Sequence, residues 1–261
     1  MKRYKIALIG TGNVAWHLQK ALEGAGHVIT EIYGRNLEAA EAMVYESYMA
    51  EATDSPDFSE SEAEVFLVAL SDAAVEPFAQ EIVLPDKAIL AHTSGTLAAG
   101  VLGYAATEHF GVFYPLQTFT KGKTLDFEEV PLCIEGETGH AEKVLLNIAH
   151  SVSQQVHQID SRQRKILHLA AVFACNFTNH LFTISKGILE NSDMNFELLQ
   201  PLIVETLNKS LEIGPENAQT GPAIRQDLPT LERQAKSLES DEQVSAIYQL
   251  LSQHIMDYYE D

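Results

Sequence analysis

Gly10-Thr11-Gly12-Asn13-Val14-Ala15 is a spacing of small residues that can seat a pyrophosphate, provided a strand runs into it and a helix runs out of it. Gly10 permits the tight turn, Gly12 lets the main chain approach phosphate oxygens without a Cβ in the way, and Ala15 stands where a third small residue allows close helix–strand packing. Both flanks fit. The apolar run Tyr4 to Ile9 reads as a strand, and Val14, Leu18, Ala21 and Leu22 fall on one face of a helix. A helix that merely turns tightly at its start is the alternative reading of the glycines. A second apolar run, His27 to Tyr33, ending at Gly34-Arg35-Asn36, favours the dinucleotide reading.

The tip of that second run decides which dinucleotide. An Asp or Glu there would accept hydrogen bonds from a ribose 2′-hydroxyl. Arg35 and Asn36 stand there instead, and a guanidinium beside an amide suits a 2′-phosphate by charge and geometry. NADP(H) is therefore the expected cofactor. Arg35 as an ordinary solvated residue opening the next helix, and Glu31 within the strand as the ribose ligand, are the alternatives.

In open parallel sheets ligands lie beyond the carboxyl ends of the strands, so the segments after the apolar runs are the next candidates. Ser71-Asp72 follows the run 64–70, His92-Thr93-Ser94-Gly95-Thr96 follows 88–92, and Pro115-Leu116-Gln117-Thr118 follows 110–114. Ser71 would meet the cofactor's ribose or phosphate. His92 to Thr96 combines hydroxyls with glycine where nicotinamide and substrate should meet, a cradle for a carboxylate or carbonyl. Ser94 and Thr96 could equally form a helix-capping turn.

A third group lies on one long helix, Arg162 to about Leu189. At about 100° per residue His168, Cys175 and Asn179 project along nearly one line, with Asn176 and Thr183 beside it. Reduction of a carbonyl or imine needs a proton donor and an orienting hydrogen bond, which His168 with Asn176 or Asn179 could supply. Satisfaction of buried backbone groups, or a dimer seam, would explain the same stripe. Finally, Thr220-Gly221-Pro222-Ala223-Ile224-Arg225-Gln226-Asp227 fixes a loop between helices, and Arg225 is a suitable partner for an anionic substrate.

The elements that must position these residues alternate. Helices at 37–45, 72–83 and 141–150 and strands at 64–70, 88–92, 110–114, 130–134 and 154–159 predict a parallel, doubly wound α/β sheet. Residues 51–63 are acidic and turn-rich and read as a solvated connection. From Asp160 onward the pattern is helical, with segments at 195–213, 228–238 and 241–259. The expected division is a dinucleotide-binding domain over 1–159 and a helical dimerisation and substrate domain over 160–261.

Composition narrows the partners. There are 17 Lys and Arg against 37 Asp and Glu, a formal charge of −20, which repels nucleic-acid phosphate and anionic membrane. Arg35, Lys121, Lys123 and Arg225 are the few cations able to draw in an anionic cofactor. With 46% hydrophobic residues the chain can build real cores. The run after Met1-Lys2-Arg3 is too short for a signal peptide, and no run approaches the roughly twenty apolar residues of a membrane span. Cys133 and Cys175 have no metal spacing, so no metal is expected, and isolated thiols fit a reduced cytoplasm.

On I-G-T-G-N-V-A at 9–15, H-T-S-G-T at 92–96, Y-P-L-Q-T-F at 114–119, H-L-A-A-V-F-A-C-N-F-T-N-H-L at 168–181 and T-G-P-A-I-R-Q-D at 220–227, the chain resembles a family of bacterial Rossmann-like NADP oxidoreductases with a helical C-terminal domain of unknown function. More remotely it is similar to pyrroline-5-carboxylate reductase and the β-hydroxyacid dehydrogenases. Their helical domains pair two subunits through a long central helix, which implies a homodimer here. The dehydrogenases carry K-x-x-N-N on that helix, whereas this chain reads Asn176-Phe177-Thr178-Asn179-His180. With their lysine missing, the expected activity is NADPH-dependent reduction of a small, carboxylate-bearing imine or carbonyl with another proton donor. A non-catalytic NADP(H)-binding redox sensor, and a reduced deazaflavin in place of the nicotinamide, are the alternatives.

Overall fold

The computed structural model describes residues 2–260. Its first unit ends at Cys175 and its second begins at Asn176.

The first unit is an eight-stranded sheet in the order β3-β2-β1-β4-β5-β6-β7-β8. In chain order its elements are β1 (Lys5–Ile9), α1 (Asn13–Gly24), β2 (Val28–Tyr33), α2 (Leu37–Val44), β3 (Glu51–Thr53), β4 (Val65–Val68), α3 (Asp72–Glu81), β5 (Ile89–His92), β6 (Phe110–Pro115), β7 (Leu132–Gly136), α4 (Gly139–Val152), β8 (Val156–Gln158) and α5 (Ser161–Ala171). Strand alternation divides the core in two. Ile6 and Leu8 of β1 join Leu18 and Leu22 of α1, Met43 of α2 and Leu145 of α4 on one face, while Ala7 and Ile9 join Val75 and Phe78 of α3 on the other. Because helices cover both faces, β1 is apolar without a break from Ile6 to Ile9. Ile6, Leu8, Ile9, Leu18 and Leu22 have no exposure, each contributing about 1.5–3 kcal/mol by leaving water.

The sheet departs from the sequence reading in two places. Residues 51–63 are not wholly a solvated connection, since Glu51–Thr53 forms β3, parallel to β2 with Glu31 opposite Glu51. A three-residue polar edge strand has too short a run for alternation to register. The sheet is also not wholly parallel. β6 pairs antiparallel with β7, Phe113 opposite Ile134, because the segment between them carries only a 3₁₀ turn (Phe127–Glu129) and no crossover helix to return the chain.

The second unit is helical: α6 (Thr178–Glu190), a 3₁₀ turn (Phe196–Leu199), α7 (Gln200–Ile213), α8 (Pro215–Ala218), α9 (Leu228–Lys236) and α10 (Glu242–Tyr258). Asp227 caps α9 by accepting from the Thr230 N–H, and Asp241 caps α10 by accepting from Gln243 and Val244. Few of its apolar residues are buried; Ala223 and Leu231 are.

Between α5 and α6 the residues Val172–Phe177 make a π-helical turn. The line of His168, Cys175 and Asn179 drawn at 100° per residue assumed an unbroken α-helix, and i→i+5 bonding changes that repeat. Ser161–Glu190 as a whole is long and apolar enough, by length and composition, to cross a membrane, with none of its most apolar window buried. This corrects the expectation that no run approaches a span. Asn176 and Asn179 interrupt the run of apolar letters without adding charge.

Candidate cofactor and active site

Two glycines of the first turn answer to different surroundings. Gly10, at φ +122°, donates its N–H to the Tyr33 carbonyl at 2.8 Å, and a Cβ there would strike the Ala69 carbonyl. Gly12 precedes α1 with no side-chain cap and no acid in the first turn, and a Cβ on it would meet nothing within 4 Å. The open N–H groups and the positive end of the helix dipole fit a pyrophosphate. Val14 packs against the core, and the Thr11 methyl lies 2.8 Å from where a Gly34 Cβ would stand, so the turn sits against the end of β2. Asn13 Oδ1 accepts from the Lys121 N–H at 3.3 Å, and His17 Nε2 donates to the Thr120 carbonyl at 3.0 Å. These bonds fasten the segment after β6 onto α1.

At the end of β2, Asn36 caps α2 through its carboxamide oxygen, 3.0 Å from the Glu38 N–H, and Arg35 is exposed. Tyr33, Arg35, Leu70, Ser71, Pro77, Phe78 and Glu81 help line a cavity of about 350 Å³. Glu31 is elsewhere. It accepts from Ser61 Oγ at 2.7 Å and lines a separate cavity of about 680 Å³ with Arg3, Lys5 and Val28, around the starts of β1 and β2.

After β5 the chain folds on itself. His92 has no exposure; its Nδ1 accepts from the Ser94 N–H at 3.1 Å and its Nε2 donates to the Ala98 carbonyl at 3.2 Å. Burial, with the Arg164 charge nearby, pushes its pKa down to about 4, so the ring is neutral. Thr93 Oγ1 donates to the Val68 carbonyl at 3.3 Å. Ser94 Oγ accepts from the N–H groups of Thr96 and Leu97, each at 3.1 Å, and Thr96 Oγ1 donates to the Asp72 carboxylate. These bonds hold the loop's own shape. Its far end is anchored by Arg164, whose buried guanidinium donates to the Glu135 carboxylate, the Leu97 carbonyl and, at 3.1 Å, Ser161 Oγ.

One turn beyond Arg164 on α5, half-buried His168 lies over this loop. Its Nδ1 is 3.0 Å from the Tyr114 hydroxyl, and a Cβ on Gly95 would come within 2.5 Å of Nδ1 and 2.8 Å of Tyr114 Cζ. Burial raises the Tyr114 hydroxyl to about 12. Thus Gly95 and His168, both expected at the site, are in contact at the carboxyl end of β5. Asn176 is exposed within the π turn, and Asn179 is exposed in α6, where its carbonyl accepts from Thr183 Oγ1 at 3.3 Å. Arg225 is exposed in the turn before α9, and its neighbour Asp227 serves as that helix's cap.

Three residues of this arrangement escaped the sequence reading. Tyr114 lay inside a quoted motif and is the penultimate residue of β6, so the strand-end rule already pointed to it. Arg164 stands four residues before His168, on the same face of a helix. Glu135, in a different element, carried no local signal.

Residues 5–95 match a family described as NADP oxidoreductase, coenzyme F420-dependent, and residues 130–255 match a domain of unknown function, DUF2520. The putative NADP oxidoreductase BF3122 of Bacteroides fragilis is 38% identical, with a TM-score of 0.90 over 98% of both chains. Protein TM1727 of Thermotoga maritima is 23% identical, with a TM-score of 0.80 over 98% of this chain and 100% of its own. A reductive aminase of Aspergillus terreus, solved with NADPH and ethyl-5-oxohexanoate, is 12% identical and shares the fold at a TM-score of 0.74 over 98% of this chain and 95% of its own. A comparison with curated proteins gives no match.

Proposed function

The chain belongs to the NADP oxidoreductase family that joins these two domains, and from that premise we propose that it reduces a small, carboxylate-bearing imine or carbonyl compound with NADPH. The observation that carries the reading is the half-buried imidazole of His168 packed on Gly95 at the carboxyl end of β5, where a doubly wound sheet binds its ligands. Bound NADPH supplies the hydride.

The residues of this chain do the rest. The open first turn of α1, with Gly12, holds the pyrophosphate, with Thr11, Asn13 and Val14 shaping the turn. Arg35, with the amide of Asn36, takes the 2′-phosphate, and Ser71, in the lining of the cavity beside Arg35, meets the cofactor's ribose or phosphate. Thr93 to Thr96, kept in shape by His92, border the substrate. His168 gives a proton to the substrate nitrogen or oxygen. Asn176, Asn179 and Arg225 are assigned the orienting and anion-binding roles their chemistry suits. The functional division follows the end of the sheet at Gln158 and the capping box at Asp160: cofactor binding over 1–159, substrate binding and dimerisation over 160–261.

We also propose a homodimer. Ile166 and Leu169 on α5 and Leu202 and Leu211 on α7 are all more than half exposed. Leu181, Phe182, Leu199 and Ile203 help line a groove of about 380 Å³ in the second unit. So much apolar surface needs a cover, and a second copy supplies one by symmetry. Free Cys133 and Cys175 suit a reducing cytoplasm.

The test is NADPH oxidation with a panel of imino and keto acids, wild type against His168→Gln. Turnover that falls on the order of a hundredfold or more in the variant is expected of a lost proton donor. Tight NADPH binding with no oxidation across the panel would instead identify a redox sensor.

A further inference from the structure

We infer that Tyr114 is the positioning residue of the site: its hydroxyl engages Nδ1 of His168 and so presents Nε2 as the nitrogen that meets substrate. This rests on the reading of His168 as proton donor. The supporting geometry is independent of any bound molecule. The Tyr114 side chain, on β6 and only 8% exposed, is fixed in the sheet. Its ring meets the imidazole edge-on, at 65° with 6.0 Å between centroids, and its hydroxyl reaches Nδ1 at 3.0 Å. Gly95 is the condition for that approach, because any Cβ there would enter the space of both rings.

A phenol suits this place better than a carboxylate or an amide. Burial, the largest influence, and Cys133 on β7 both keep its proton on, against the opposing charge of Arg164 on α5. A neutral hydroxyl both donates and accepts. Toward the resting neutral imidazole it donates to Nδ1, which leaves the ring proton on Nε2. Toward an imidazolium it accepts from the Nδ1–H. In the transfer itself the Nε2–H bond of the imidazolium breaks and an N–H or O–H bond forms on the substrate. The ring leaves that step neutral with its remaining proton on Nδ1, which the Tyr114 oxygen accepts, and exchange with solvent returns it to the resting form, in which the hydroxyl donates to Nδ1 and Nε2 carries the proton. Either way the inner nitrogen is committed to tyrosine, and exchange with substrate runs through Nε2.

Long-range ¹H–¹⁵N NMR on the full-length, cofactor-free protein tests this, with the His168 signals identified by their loss in His168→Gln. In the wild type the neutral ring is expected as the Nε2–H form. A neutral ring protonated on Nδ1 overturns the inference without recourse to any variant. In Tyr114→Phe the ring should become a mixture of both forms, with kcat falling on the order of tenfold and the KM for NADPH unchanged. Unchanged His168 signals in that variant also overturn it. Gly95→Ala, which displaces the same two rings, should disturb those signals as well. The two readings fail separately: turnover that survives His168→Gln removes the proton donor, whereas an unperturbed tautomer in Tyr114→Phe removes only the positioning role.

Discussion

Arg164 of α5 and Glu135 of β7 form an ion pair in which the arginine side chain is wholly buried and the glutamate 23% exposed. The same guanidinium also holds the Leu97 carbonyl, so one buried charge joins the end of the sheet, the start of α5 and the loop after β5. Removing one partner of such a pair strands the other, at about 3–5 kcal/mol. Arg164→Leu should therefore lower stability by that order, and the double variant with Glu135→Leu by less than the two losses added. Denaturant midpoints for the three variants check this, and strict additivity would refute the coupling.

Arg35→Asp is expected to exchange the preference for NADPH over NADH by about 1–3 kcal/mol, the worth of a charge-assisted bond to phosphate. Calorimetric titration of both cofactors decides it. Equal affinities in the wild type would remove Arg35 from the site.

Acid should unfold the protein through its buried histidines. Burial depresses His92 to about 4 and also lowers His27. The unfolded chain, whose histidines titrate near 6.5, then binds protons that the folded chain refuses. Stability is full above pH 6.5 and falls as pH drops toward 4, by about 3 kcal/mol for His92 alone. His92→Asn should flatten the loss in that window, read from thermal midpoints between pH 7 and pH 4.

A dimer buried through the helical segments should hide well over about 1,000 Å². Sedimentation at micromolar concentration is expected to give twice the chain mass, and Leu202→Glu to give monomer. A wild-type monomer, or recovery with membranes, would replace the second copy with another cover for these residues.

The sheet was legible because its strands are buried on both faces: continuous runs such as Ile6 to Ile9 and Val65 to Val68 leave no other reading between turn residues. The glycine turn was legible for the same reason, standing where a run stops. What escaped was non-local or too short. Glu135 meets Arg164 across different elements, three residues of β3 carry no period, and the π turn at Val172–Phe177 has no compositional mark, so the polar stripe was drawn on too regular a helix. His92 looked like a ligand by type and position, and only its two ring bonds reveal how it is employed.

The two glycines of the first turn work as separate reporters. Gly10 is enforced from within, by the Ala69 carbonyl and a positive φ, whereas Gly12 has ordinary backbone angles and faces open space. A methyl at residue 10 must damage the protein whether or not cofactor is present. A methyl at residue 12 collides with nothing in the chain, and what it gains by restricting the unfolded state is offset by placing a poor N-cap residue on α1, so stability should stay nearly level while the methyl intrudes on the phosphates. Fold and affinity then separate in one variant, Gly12→Ala, and a selection for thermal stability alone would be blind to the loss of the cofactor.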